Sequence, residues 1–160
     1  MKTVKQSPVS VPASTSGVLV GRFDHALDPK RRLTIPAEWR SVMGAPDYVY
    51  VFPDPAEPCL DLIPPAEMEV RLAKLREAAL FDPEMNAALQ AIGENAEQLV
   101  LDVQGRIRIC DKLLSFAGLD ETVAMVGSIR VVKLWSPKRL APDSKVDVAK
   151  FREAVAKLKF

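Results

Sequence analysis

Apolar and polar residues alternate over two short stretches, and each reads as a strand with one face buried. In Arg32-Leu33-Thr34-Ile35 the aliphatic side chains share one face, and Arg32 and Thr34 take the other. Arg106-Ile107-Arg108-Ile109 divides in the same way. The likeness extends into an internal repeat. LDPKRRLTIP (27–36) aligns without a gap on LDVQGRIRIC (101–110), so that Leu27 falls on Leu101, Asp28 on Asp102 and Arg32 on Arg106. At the same offset of 74 residues Gly44 falls on Gly118, and YVYVF (48–52) on TVAMV (122–126). The offset then drops to 72, where CLDLIPP (59–65) meets VVKLWSP (131–137). A deletion of this kind between strands is tolerated because hairpin loops vary in length.

Each copy predicts one small unit. A strand leads to an acidic residue, a four-residue turn follows, and a return strand alternates apolar and polar positions. A helical turn then runs through PAEWRSVM or CDKLLSFA and stops at Gly44 or Gly118, residues suited to a left-handed helix end. Two further strands close the unit as a hairpin. Four short strands cannot bury both faces of a sheet, so the economical arrangement is two copies interlocked about a pseudo-twofold axis in one barrel-like domain.

The domain is expected over 18–160, with repeat one at 18–65, a helical spacer at 66–97, repeat two at 98–137 and a C-terminal helix at 147–159. In the spacer Met68, Leu72, Leu75 and Ala79 recur at helical spacing. Met85, Leu89 and Ile92 do so after Asp82-Pro83, where Asp82 suits an N-cap. Both helices are expected outside the barrel. Val148, Phe151, Val155 and Leu158 form the stripe of the last helix, which needs a partner surface. Residues 1–17, rich in Ser, Pro and Thr, read as a flexible arm.

The chain has 160 residues, 48% hydrophobic and 27% charged, a balance that excludes a disordered or fibrous protein and two independent domains. Its net charge of +1 makes no electrostatic case for nucleic acid, but the charge is unevenly spread. Residues 130–160 hold nine Lys or Arg against three acids, whereas residues 60–100 hold three against eight. Cys59 and Cys110 have no neighbouring Cys or His at metal-ligand spacing, so both are read as reduced, buried and apolar, and no metal is expected. Trp39 and Trp135 are read as core anchors. Without a membrane-length apolar run or a signal-peptide pattern, the expected location is the cytoplasm, with no membrane partner.

Asp-x-x-x-Arg occurs in both copies, at Asp28/Arg32 and Asp102/Arg106. A tight turn lets the carboxylate accept from turn amides and hold the guanidinium in one orientation, which suits an arginine that reads phosphate or guanine. The same spacing equally fits an ion pair that only staples the hairpin. Copy one adds Lys30 and Arg31 to Arg32, with Arg22 and His25 on the preceding strand. Three adjacent cations repel one another and do little for folding, so their concentration suggests an anionic partner. Copy two is less basic, and its Gly105 suits a tight turn. His25 shares no motif with a Ser or Cys nucleophile and no phosphate-binding Gly loop is found, so no enzyme and no cofactor are expected.

GRFDHALDPKRRLTIPAEWR resembles the first signature of the MraZ family of transcriptional regulators, a Gly before a strand ending in Asp-x-Lys-Gly-Arg, then an apolar strand, Pro and a helical turn closing on Arg. LDVQGRIRIC, VAMVG and VVKLWS resemble its second half, and the resemblance covers residues 18–157. It implies an α+β fold, the double-ψ or swapped-hairpin AbrB-like β-barrel (SpoVT-AbrB domain) of two pseudo-symmetric repeats with external helices. It also implies a ring-shaped homo-oligomer in the nucleoid. Such a ring would bind double-stranded DNA at short direct repeats in the promoter of its own operon, the cell-division and cell-wall gene cluster. Asp28, Lys30 and Arg32 inherit the first signature, and Asp102 and Arg106 the second. Arg31 stands where the family has Gly, a place that calls for a positive φ. Either the turn differs locally, or Arg31 adds a DNA contact that offsets the strain. The alternative function is an oligomeric protein-interaction scaffold without specific DNA binding.

Overall fold

The two repeats fold into the same succession of elements, and most of them begin 74 residues apart. The structure is a computed structural model that describes residues 17–80, 82–140 and 146–160; the predicted arm, Gly17 apart, lies outside the described residues. Copy one comprises β1 (Arg22–Ala26), β2 (Arg32–Thr34), α1 (Ala37–Val42), β3 (Tyr48–Pro53) and β4 (Leu60–Ile63). Copy two comprises β5 (Glu97–Val100), β6 (Arg106–Arg108), α4 (Asp111–Ala117), β7 (Thr122–Ser128) and β8 (Val131–Trp135). Between them lie α2 (Pro65–Leu80) and α3 (Pro83–Asn95), and α5 (Val148–Leu158) follows. The fold is α+β.

Strand pairing crosses between the copies. β1 pairs antiparallel with β7, from Arg22 opposite Val126 to Ala26 opposite Thr122, while β5 pairs with β3 of the other copy. The six-stranded sheet runs β1-β7-β8-β4-β3-β5, an order that exchange of the two copies leaves unchanged. Its centre, β4 against β8, joins the two copies.

The expected closed barrel is not what the chain forms. β1 and β5 end the large sheet, and β2 and β6 pair only with each other in a separate two-stranded ribbon. These strands are three residues long. Beyond them the chain turns its hydrogen bonds to the opposite turn, Ile35 N–H to the Gly105 carbonyl (2.9 Å) and Ile109 N–H to that of Arg31 (3.0 Å), which leaves no ladder to close the circle.

The main core lies between the inner faces of ribbon and sheet. Leu33, Ile35, Ile107 and Ile109 of the ribbon, at most 1% exposed, meet Val49, Val51, Leu60, Leu62, Val123, Met125, Val132 and Leu134. Trp39 seals one end, edge-on to Phe23 with ring centroids 4.8 Å apart, and its indole N–H donates to the Val20 carbonyl. Trp135 is buried with Cys59 and Ala124 in a smaller cluster. Cys110 departs from expectation and is only half-buried, because it precedes α4 as its N-cap residue.

Asp82 caps α3 by accepting from the amides of Glu84 and Met85, and Asp147 caps α5 through Lys150 N–H. No residue of α3 or α5 is buried. Among the described residues no helix is long and apolar enough to cross a membrane.

Candidate nucleic-acid interface

The two Asp-x-x-x-Arg turns have one geometry. Asp28 Oδ1 accepts from the amides of Lys30 (2.9 Å) and Arg32 (2.8 Å), and Oδ2 accepts from Arg32 Nε at 2.6 Å. Asp102 repeats this with the amides of Gln104 and Arg106, both at 2.9 Å, and Arg106 Nε at 2.8 Å. A carboxylate that accepts three such bonds is favoured in its charged form. The Arg32 amide, then the guanidinium against partial desolvation, hold Asp28 below its usual range, and Arg106 does the same for Asp102.

Arg31 leaves the turn's shape unchanged. Its φ is 63°, beside 77° at the equivalent Gly105, so copy one carries in an L-residue the left-handed conformation that glycine takes freely. The Arg31 guanidinium donates to the Asp120 carbonyl at 3.2 Å, a bond between the two halves. Glycine is needed at 105 for a second reason. Arg40, whose Nε donates to the Ile35 carbonyl, lies so close that a Cβ at 105 would come within 2.5 Å of it.

The ribbon then aligns the arginines. In the β2–β6 register Arg32 stands opposite Arg108 and Thr34 opposite Arg106, while the intervening Leu33–Ile107 pair is buried. Side chains alternate across a strand, so Arg32, Thr34, Arg106 and Arg108 share the outer face. The antiparallel pairing sets the two turns at opposite ends of this face. Lys30, Arg31 and Arg108 are exposed; Arg32 and Arg106 are half-buried by their own aspartates. Among the described residues the terminal nitrogens of Arg32 and Arg106 donate to no acceptor.

The fold thus brings together Asp28, Lys30, Arg31, Arg32, Asp102 and Arg106. Arg22 is elsewhere, at the far end of β1, where it pairs with Asp24 at 2.9 Å. His25 sits half-buried on β1 opposite Val123. Arg108 is the cation that spacing did not single out. Alternation put it on the polar face, but only the cross-copy register sets it beside Arg32.

A second charged cluster lies beneath the opposite face of the sheet. Asp54 and Asp61 are 7% and 6% exposed, and the Lys133 ammonium donates to both, at 2.9 Å to Asp61 Oδ1. Burial pushes Asp54 up, but Lys133 and the amides of Ala56 and Glu57 overcome it and hold the group at about 2. For Asp61 burial prevails over Lys133 and its carboxyl is raised. Burial also pushes the adjacent Cys59 thiol up to about 12, which makes it inert. Ligand-capable atoms of Asp54, Cys59 and Asp61 fall within 4.8 Å of one another, a juxtaposition that sequence spacing did not reveal. Their carboxylates are already bound by Lys133.

No protein-family model matches the chain. It is similar to the transcriptional regulator MraZ of Symbiobacterium thermophilum, 31% identical over 141 residues, which are 88% of this chain and 100% of that protein. The transcriptional regulator MraZ of Thermomicrobium roseum is 30% identical over 129 residues, 81% of this chain and 89% of its own. That of Pseudomonas syringae pv. syringae is 35% identical over 111 residues, 68% and 74% respectively.

Proposed function

The chain belongs to the MraZ family, and from that premise we propose that it is a transcriptional regulator which binds double-stranded DNA sequence-specifically through the outer face of the β2–β6 ribbon and its two turns. The observation that carries the reading is the row of three arginines, Arg32, Arg106 and Arg108, on one face of a two-stranded antiparallel ribbon. The major groove admits such a ribbon, and arginine pairs bidentately with guanine O6 and N7. From Arg31 to Ile35 the ribbon measures roughly 13 Å at strand rise, comparable with a groove about 12 Å wide.

The aspartates divide the labour within each guanidinium. Asp28 and Asp102 take Nε, which fixes the plane of the group and leaves its outer edge for a base. Lys30 and Arg31, at the exposed tip, suit phosphates, which position the protein without reading sequence. Arg22, paired with Asp24 at the other end of β1, would lie outside this contact.

The exchange of strands between repeats supports assignment to the AbrB-like swapped-hairpin architecture in its open form, as one two-repeat domain. Assembly of protomers into a ring would align several ribbons along one side of the duplex, so that short direct repeats in the promoter of the chain's own cell-division and cell-wall cluster are read together. Each contact after the first is then intramolecular, which raises avidity. The protein would act in the cytoplasm, on the nucleoid, without catalysis.

A gel-shift titration with DNA from just upstream of the protein's own gene, at two salt concentrations, tests the proposal. It expects tighter binding than to shuffled DNA of the same composition, with affinity falling linearly in log salt. Weak binding indifferent to sequence would instead support the scaffold alternative.

A further inference from the structure

The two turns share a backbone geometry and differ in what they show at the tip. Copy one presents Pro29, Lys30 and Arg31; at the matching positions copy two presents Val103, Gln104 and Gly105. Val103 is 101% exposed, more than any other large apolar side chain among the described residues. Gln104 is exposed beside it, and among the described residues its carboxamide has no hydrogen-bond partner. Its backbone is nonetheless fixed, because its N–H donates to Asp102 Oδ1 at 2.9 Å. Arg106 follows the turn and Arg40 packs against Gly105, but the three tip residues carry no charge.

An uncharged tip gains little from phosphates, where cations supply most of the affinity. The floor of the major groove suits it better. Adenine sets the N7 acceptor beside the N6 amino donor, and a glutamine carboxamide pairs with both at once. The thymine opposite adds its C5 methyl, an apolar contact that fits an isopropyl group. Two consecutive residues thus complement two parts of one kind of base pair, and neither has a counterpart in copy one.

We propose that the copy-two turn reads an A·T base pair, with Gln104 on the adenine edge and Val103 against the thymine methyl, while the copy-one turn holds phosphates. The ribbon then enters the groove tilted, one tip on the floor and the other at the wall. Antiparallel pairing places the turns at opposite ends of the ribbon, so each protomer reads its site in one direction. The inference rests on the DNA reading above and names the base pair and the side chains that select it.

The test is a competition gel shift with DNA from upstream of the protein's own gene, carrying one base analogue at a time. Uracil in place of thymine removes only the methyl, and 7-deazaadenine replaces only the N7 acceptor with C–H. The proposal expects one A·T pair at which uracil weakens binding about threefold and 7-deazaadenine about fivefold. Gln104→Ala should bind more weakly and no longer sense 7-deazaadenine there; Val103→Ser should no longer sense uracil. Both side chains are exposed, and circular dichroism checks that the variants are folded. If neither analogue matters at any A·T pair of DNA that the protein still prefers over shuffled sequence, the assignment is overturned and the DNA reading stands. Variants as sensitive as the unaltered chain overturn it as well. Equal affinity for promoter and shuffled DNA sinks both.

Discussion

At the residue scale, Arg31 is a cation in a backbone position made for glycine, and stability and binding should pull in opposite directions there. Arg31→Gly removes a left-handed L-residue but also the bond to Asp120, so the melting free energy should rise by no more than about 1 kcal/mol. DNA affinity should fall at the same time. A calorimetric scan and a titration of one preparation measure both. Arg32→Ala should abolish the preference for promoter DNA and leave the fold intact, because a half-exposed ion pair contributes at most about 1 kcal/mol. Lys30→Ala should weaken all DNA alike and lower the log–log salt slope by about one. Unfolding by Arg32→Ala with affinity retained would return the pair to a purely structural role. Lys133 is the opposite case. Lys133→Met strands two buried carboxylates and should cost about 3–5 kcal/mol in urea unfolding, without changing the DNA preference of whatever remains folded.

At the scale of elements, the ribbon is too short to hold itself together. Three residue pairs form its ladder, and the two reciprocal bonds to the turn carbonyls of Gly105 and Arg31 extend it at both ends. Turn geometry and ribbon stability are therefore one property. Gly105→Ala forces a Cβ into a left-handed position against Arg40 and should cost about 1–2 kcal/mol. That loss should appear in hydrogen exchange of the Ile35 amide before it appears elsewhere. Helix α3 depends on its capped start rather than on burial. Asp82→Ala removes the acceptor for two α3 amides and should cost about 1 kcal/mol of local helix stability, read by circular dichroism.

At the scale of the whole molecule, carboxylates with depressed pKa values set the acid limit. Asp54 holds its proton less tightly when folded, at about 2, than an unfolded chain would at about 3.9. Its contribution is therefore complete above the unfolded value and is lost as pH falls through the folded one. Asp28 and Asp102 act in the same direction, whereas Asp61, raised by burial, opposes them. A melting series from pH 6 down to pH 2 should show stability falling most steeply below about pH 4. Asp54→Asn should flatten that fall, and an unchanged profile would remove Asp54 from the account.

The repeat, the order of its strands and helices and the two aspartate-pinned turns were legible in the sequence, whereas the positive φ at Arg31 was only what the family resemblance implied, and the structure decided it. Each is a local property, set by alternation, turn chemistry and helix ends over a few residues. What the tertiary structure alone decided is how the copies meet. Pairing between segments far apart in sequence leaves no periodic trace, so nothing in the chain announced that β1 lies on β7, that the sheet stays open, or that Arg108 stands beside Arg32 while Arg22 does not. The same holds for Lys133 between Asp54 and Asp61. Residues 72 and 79 positions apart become one buried cluster only after the sheet has formed, because a charge is expensive to bury until its partner is there.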